Sequence, residues 1–351
     1  MVKYAFAGVA AFYLVGCASG GGGNGGRGGL IAGTMYSSPA TFSQEEFNKD
    51  QKKYSKTWTT YKGGGVDSYK KVVIPTYSLN LQTDMYTVAK NKLASLVNAG
   101  DGARSTLTFS VNFPWEKNQQ VMQEIAGISY NRLKEKFKKT GVEVVEWSSV
   151  VAASDKASKY EKENFGTTPV VKGESFVSFS APNVPRVVNT SIYAISSLSR
   201  DAEVSLFFPN FTVGFGYFGG ETTPFTIAEG HGMSGTTFTP QVQVLSGSGF
   251  GYQSKWNAGG IALDKTAISN VPFVLKLDKE ADSRTRAGEK EELMRNTVVG
   301  LSGAKSHEVK VSSAASIVYN LDVDSAKFKD AVLKELDAAE DLIVSRYKME
   351  L

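Results

Sequence analysis

Residues 117–147, KNQQVMQEIAGISYNRLKEKFKKTGVEVVEW, carry the pattern that decides the fold. The apolar residues of the first part recur at helical spacing, at Val121, Ile125, Leu133 and Phe137. Gly141 stands where a left-handed residue commonly ends a helix, and the apolar run after it predicts a strand over 142–147. A helix with one apolar stripe, followed by a strand after a single glycine, indicates helices layered on a sheet.

The rest of the chain repeats these two kinds of element. Alternation of apolar and polar residues predicts strands over 71–82, 103–113, 175–180, 204–208, 211–217, 241–246, 249–255 and 259–264. Helical spacing predicts helices over 83–98, 148–165, 187–198 and 325–347. Residues 219–239, rich in glycine and threonine, predict a long loop. We therefore expect an α+β fold with a mixed or antiparallel sheet, helices packed on one face and a closing amphipathic C-terminal helix.

Composition excludes several classes of protein. The 351 residues are 41% hydrophobic and 21% charged, which supplies a core and excludes a disordered chain or a polytopic membrane protein. There is one cysteine, so no internal disulfide forms, and the two histidines, His231 and His307, lie far apart. These counts argue against a metal site built on histidine and cysteine. The net charge of +4 is too small to indicate a nucleic-acid partner.

No motif in the sequence predicts catalysis. Paired carboxylates such as Glu143 and Glu146 lie in charged contexts typical of solvated surfaces. No Gly-x-Ser-x-Gly elbow stands between a strand and a helix, and the glycine-rich stretch 300–306 lacks the spacing of a phosphate-binding loop. We expect no enzyme activity, no catalytic residue, no metal and no cofactor.

The N-terminus resembles the signal peptide of a bacterial lipoprotein. Lys3 precedes an uncharged apolar run over 5–15, which is too short for a membrane span of ~20 residues. The run ends in Leu14-Val15-Gly16-Cys17, which resembles a lipobox and implies cleavage after residue 16 and a covalent lipid on Cys17. Ala18, in place of aspartate, implies sorting to the outer membrane, facing the periplasm. An uncleaved signal anchor is the alternative.

Residues 17–70 are expected to lie outside the folded domain. The stretch 19–29 is almost all glycine, which is typical of a flexible tether. The folded domain would then span 71–351, with a subdivision near residue 200.

The polar stretch 30–70 mixes lysines with aromatic residues. This mixture can bind single-stranded nucleic acid, which an exported protein rarely meets. A solvated linker or a short docking helix over 42–56 is the preferred interpretation. Contact with anionic lipid or with a neighbouring subunit is the alternative.

The order of elements resembles the periplasmic domain of CsgG-type curli-secretion lipoproteins and related TolB-N-like modules. The residues that carry the resemblance are Gly141-Val-Glu-Val-Val-Glu-Trp147, Asp201-Ala-Glu-Val204, Val242 to Ser246 and the helix 325–347. It covers roughly residues 71–347 and implies an outer-membrane lipoprotein with an α+β periplasmic domain. The glycine tether and a charged insert over 278–292, expected to be mobile, are foreign to that pattern.

Three functions remain open at this point. The first is a non-enzymatic structural or assembly component of a cell-envelope, surface-appendage or secretion apparatus, attached to the membrane through its lipid and contacting protein partners or further copies of itself. The second, implied by the resemblance, is a curli-type secretion pore, for which the stretch 204–217, interrupted by Pro209, is the best transmembrane hairpin. The third is a module that binds a cell-wall glycan or a small ligand through Tyr217, Tyr252 and Trp256.

Overall fold

Ten stretches of the chain are described by the computed structural model of the protein: residues 40–64, 69–90, 106–173, 175–188, 192–219, 234–255, 257–280, 295–298, 305–311 and 315–351. The expectations for the signal peptide, Cys17, the tether, His231 and Trp256 lie outside these ranges, as does most of the charged insert.

The helices of these ranges are α1 (Gln44–Lys49), α2 (Gln51–Trp58), α3 (Gln119–Lys138), α4 (Trp147–Ala153), α5 (Asp155–Asn164), α6 (Ile192–Ala202) and α7 (Ser325–Glu350). The strands are β1 (Thr59–Gly63), β2 (Lys71–Val73), β3 (Ser78–Gln82), β4 (Asp84–Lys90), β5 (Thr106–Asn112), β6 (Glu143–Val145), β7 (Phe165–Gly166), β8 (Val170–Lys172), β9 (Phe176–Phe179), β10 (Arg186–Val187), β11 (Ser205–Gly219), β12 (Ser234–Val244), β13 (Gly249–Ser254), β14 (Asn257–Leu263), β15 (Ala267–Ile268), β16 (Val274–Lys279), β17 (Arg295–Val298), β18 (Lys305–Val311) and β19 (Ala315–Val323). None of the helices in the described stretches has the length and apolar character needed to cross a membrane.

The long strand β11 organises the larger sheet, whose order is β1-β14-β13-β11-β12-β18-β17. It pairs antiparallel with β12 and β13, and parallel with β2 and then β3. The two strands predicted over 204–217 are therefore one. Pro209, which lacks an N–H, falls between Leu206, the last residue paired to β2, and Asn210, the first paired to β3. This change of partner explains why a proline is tolerated in a central strand.

A second sheet, β16-β19-β5-β4, packs face to face on the outer part of β11 and β12. The Phe109 and Phe218 rings lie 5.3 Å apart between the sheets, and the Phe113 and Phe215 rings lie 5.5 Å apart. The helix predicted over 83–98 is wrong for its described part, because β4 pairs antiparallel with β5 over its whole length. Apolar residues at 85, 88 and 89 fit the periodicity of a helix or of a strand, and the pairing with β5 makes this segment a strand.

Helices cover the two faces of the larger sheet. On β11, Phe207 contacts Phe137 of α3 and Tyr347 of α7, with ring centroids 5.0 and 5.2 Å apart. Its neighbours Leu206 and Phe208 point to the opposite face and join the core formed with α4, α5 and α6. The expected α+β class with a mixed sheet and a layer of packed helices is confirmed, and a smaller helical group lies on the other face.

The termini of the two longest helices agree with the sequence. Gly141 follows α3 with a φ of +93°, the left-handed conformation that glycine adopts at little cost. Asp324 caps α7, since its Oδ1 accepts a hydrogen bond from the Lys327 N–H at 3.1 Å. The strand expected over 142–147 is shorter, and the helix expected over 148–165 is divided at Ser154 into α4 and α5. The loop expected over 219–239 ends earlier, because β12 begins at residue 234.

The folded domain begins earlier than residue 71. Strand β1 pairs with β14 from Thr59↔Leu263 to Gly63↔Gly259, and Ala40 bridges to Ala267. Trp58 is only 3% exposed in the core beside α7. The expected boundary between linker and domain is thus wrong, because aromatic residues scattered among lysines supply the buried face. The alternative of a docking helix over 42–56 is closer, although Asp50 divides it into α1 and α2.

Candidate ligand-binding cleft

A cleft of ≈ 640 Å³ lies on the outer face of the four-stranded sheet. Its volume is within the range of small-ligand sites. It is lined by Thr83, Asp84, Asn112, Phe113, Pro114, Trp115, Glu116, Lys117, Lys172, Asp278, Asn320, Leu321 and Asp322. These residues come from five segments that are distant in sequence.

The floor of the cleft is a row of four polar residues, one from each strand. The strand registers pair Asp84 with Asn112, Asn112 with Asn320, and Asn320 with Asp278. Adjacent residues of the same strands, among them Val111, are buried between the two sheets, so alternation turns the four polar residues outward. At a strand spacing of ~4.8 Å, this polar row spans about 14 Å.

Hydrogen bonds fix parts of the polar row. The Asn112 Nδ2 donates to Asn320 Oδ1 at 3.1 Å. The Asp84 carboxylate accepts hydrogen bonds from the Thr83 and Ser175 hydroxyls at 3.3 and 3.4 Å. Two amides and two carboxylates have more donors and acceptors than these bonds use. The row therefore offers hydrogen-bond donors and acceptors side by side on a rigid sheet.

One wall of the cleft is the turn over 113–117, which presents the half-buried Trp115. The turn is tied to both long helices: Asn118 Nδ2 donates to the Pro114 carbonyl at 2.9 Å, and Ser325 Oγ donates to Asn118 Oδ1 at 2.6 Å. The Lys172 ammonium lies 5.5 Å from the centroid of the Trp115 ring, within cation–π range. The Trp115 indole thus forms an aromatic wall, fixed by these contacts, beside the polar floor of the cleft.

The cleft carries more negative than positive charge. Four carboxylates line it, from Asp84, Glu116, Asp278 and Asp322, against the ammonium groups of Lys117 and Lys172. Asp278 also forms an ion pair with Lys276, and the hydrogen bond between the two side chains raises the pKa of Lys276. No three His, Cys, Asp or Glu side chains within the described stretches are arranged to hold a metal ion. The charges disfavour an anionic ligand.

The structure does not bring the described members of the aromatic surface expected from Tyr217, Tyr252 and Trp256 together. The expectation is wrong for Tyr252, whereas the half-buried Tyr217 stays a prediction. Tyr252 is buried, and its hydroxyl lies 2.9 Å from the Tyr61 hydroxyl and donates to the Gly64 carbonyl at 2.5 Å. Tyr252 pairs with Phe207, and Tyr217 lies ten positions further along β11, roughly 33 Å away. A Cβ on Gly259 would lie 2.6 Å from the Tyr252 hydroxyl, so the nearby glycine makes room for a buried ring.

A second polar cluster lies inside the helical layer. Glu340 of α7 is fully buried and accepts hydrogen bonds from Arg132 and from Ser129 of α3, the latter at 2.5 Å. Burial raises the pKa of Glu340, and the charges of Arg132 and Lys136 oppose that shift. The carboxylate is closed to solvent and its partners are all side chains of the chain itself, so it serves packing.

The cleft residues were not predicted from the sequence. The only sequence signals for these residues are weak. Asn112 lies at the end of an alternating strand, two residues before Pro114, and Asn320 and Asp322 are polar positions in an otherwise apolar strand. Their convergence depends on three strand registers that no local pattern specifies. No protein-family model, curated protein or solved structure matches the chain.

Proposed function

We propose that the protein is a lipid-anchored, non-enzymatic component of a bacterial cell envelope, and that it binds an uncharged glycan chain in the cleft. The observation that carries the proposal is the polar row from Asp84 to Asp278 beside the Trp115 wall. The lipobox at Cys17 and the following Ala18 support attachment to the outer membrane on its periplasmic side.

The chemistry of the cleft favours a hydroxyl-rich ligand. Sugar hydroxyls both donate and accept hydrogen bonds, and the row offers carboxylate acceptors next to amides that do both. An indole provides apolar contact for the C–H face of a sugar ring, as aromatic side chains do wherever one side of a ligand is apolar. The excess of carboxylates counts against phosphate or carboxylate ligands, because like charges repel in a partly enclosed site.

Such a protein would have a structural role. A lipid at the N-terminus and a glycan site in the domain would connect a membrane to a polysaccharide layer. The non-enzymatic assembly role expected from the sequence is of this kind, with binding as its mechanism.

Calorimetric titration of the full chain carrying Cys17→Ser tests the glycan site. We expect uncharged tetrasaccharides, either chitotetraose or maltotetraose, to bind, and Asn112→Ala or Asn320→Ala to weaken binding about three- to tenfold, the contribution of a hydrogen bond. Asn131→Ala, at an exposed position of α3, is the matched control and should bind as the parent does. Binding of tetralysine alone would identify a site for basic peptides, and unchanged binding in both cleft variants would contradict the proposal.

Metabolic labelling with palmitate tests the anchor separately. The parent chain should incorporate label and sediment with membranes, whereas Cys17→Ser should do neither. A labelled Cys17→Ser protein would show that the lipid is attached elsewhere.

A further inference from the structure

Helix α2 exposes a stripe of three lysines, Lys52, Lys53 and Lys56, called the basic stripe below. At about 100° per residue the three side chains fall within a single arc of the helix. Ser55 and Trp58 lie on the other side of α2 and are buried. The helix therefore shows one basic face to solvent and one apolar face to the core.

The charge of the basic stripe is not neutralised locally. Lys49 pairs with Glu45 at 2.6 Å, whereas no described carboxylate forms an ion pair with a lysine of the stripe. The nearest acid in sequence, Asp50, accepts a hydrogen bond from the Lys53 backbone N–H at 2.9 Å and caps the helix.

Further cations lie beside the basic stripe. Lys49, Lys53 and Lys265 line one groove of ≈ 510 Å³, together with the carboxylates of Glu46 and Asp50. The Lys265 ammonium lies 5.4 Å from the Trp58 ring centroid, which places it next to α2. The positive surface thus extends from the helix to the segment that follows β14.

The basic stripe is held in place by packing. The Trp58 ring lies 6.3 Å from Phe42 and 5.9 Å from Tyr54, in an aromatic cluster that joins α1 and α2. Helix α2 in turn packs on α7. Its lysines are therefore presented from a fixed surface of the domain.

This surface lies at the N-terminal end of the described chain. Cys17 precedes Ala40 by 23 positions, so an anchor at Cys17 would tether the domain through the segment that enters α1. We propose that the basic stripe contacts the anionic headgroups of the membrane and so sets how the domain stands on it. One lipid group combined with a basic patch gives more stable attachment than either alone. The orientation of the domain on the membrane rests on the proposed lipid anchor, whereas the contact between the basic stripe and the headgroups is measurable without the lipid.

Vesicle co-sedimentation of the full Cys17→Ser chain tests the contact. We expect binding to phosphatidylcholine vesicles that contain phosphatidylglycerol, little binding to phosphatidylcholine alone, and loss of binding at high salt. The triple variant Lys52→Gln, Lys53→Gln and Lys56→Gln should bind the anionic vesicles on the order of 100-fold more weakly, given the attraction of each lysine to an anionic surface.

Helix α5 supplies the matched control. It also exposes three lysines, of which Lys156 and Lys159 form ion pairs with Asp201 and Glu163. The variant Lys156→Gln, Lys159→Gln and Lys162→Gln removes the same number of positive charges and should bind anionic vesicles as the parent does. If both triple variants lose vesicle binding equally, the binding depends on net charge alone and the proposal is overturned. Absence of binding of the parent to anionic vesicles would also overturn it. Circular dichroism confirms that each variant is folded, and palmitate labelling reports on the anchor independently.

Discussion

Arg132 and Glu340 join the two longest helices of the described chain through a two-pronged ion pair. The Arg132 Nε lies 2.6 Å from Glu340 Oε2, and its Nη2 lies 3.0 Å from Oε1. Ser129 donates to the same carboxylate, and the Tyr77 hydroxyl lies 2.5 Å from Ser129 Oγ. One buried carboxylate thus connects α3, α7 and the segment between β2 and β3.

Removing one partner of this pair should destabilise the fold strongly. We expect Arg132→Ala to lower the free energy of unfolding by about 3–5 kcal/mol, because it leaves a buried carboxylate without its main partner. Urea denaturation measures the change. Lys138→Ala, which breaks an exposed pair with Glu135 on the same helix, should have no measurable effect. Equal effects of the two substitutions would contradict a structural role for the buried pair.

Glu335 should make stability depend on pH. Burial raises its pKa from 4.5 to about 7, opposed by Lys334 and by a hydrogen bond with Ser269. The folded state therefore keeps a proton that the unfolded state loses between these values, so stability should fall as pH rises through this window and level off above it. Glu335→Gln, which stays neutral, should remove this slope and stabilise the protein above the pKa by up to about 3 kcal/mol. Thermal unfolding across the pH range measures this, and an unchanged slope would show that another group is responsible.

Two glycines of β13 should differ in how far substitution by alanine destabilises the fold. A Cβ at Gly249 would lie 2.0 Å from the Ile261 carbonyl oxygen and 2.7 Å from the Ala262 Cα, both backbone atoms that cannot swing away. We expect Gly249→Ala to cost at least about 3 kcal/mol in denaturant unfolding. Gly251→Ala meets nothing closer than 3.8 Å and should be close to neutral. A neutral Gly249→Ala would mean that β13 and β14 are separated more widely than described.

Residues 40–64 should contribute to stability as part of the domain. Trp58→Ala should cost about 3–5 kcal/mol, the usual range for a buried large aromatic residue. Thr60→Ala, two residues on and exposed, is the control and should change the unfolding midpoint little. If Trp58→Ala unfolds at the same urea concentration as the parent, this segment is a separate appendage.

The sequence predicted the elements whose signals are local. Helix α3 follows from the spacing of its apolar residues and from Gly141, and α7 follows from its apolar stripe. Strands β13 and β14 follow from the alternation of apolar and polar residues. In each case the residues that decide the structure lie within a few turns of one another.

The remainder depends on contacts between distant residues. Met85, Val88 and Ala89 suit a helix or a strand, and only the pairing with β5 makes them a strand. The cleft was not predictable because Asn112 and Asn320 are 208 positions apart and meet through the register of β5 and β19. Alternation predicts the strand that holds Tyr252 but not which of its faces is buried, and only the packing against β14 shows that Gly259 makes room for the ring.

The position of α7 determines when the domain is completed during synthesis. Helix α7 follows all the described strands in sequence, and its Phe328, Leu336 and Tyr347 are fully buried in the core. Strand β1, made early, has no partner until β14 is made some 200 residues later. A nascent chain therefore lacks both this helix and the partner of β1 until residues 257–350 have been made. The apolar faces that α7 covers on α3 and β12 therefore stay without that cover until the helix has been made.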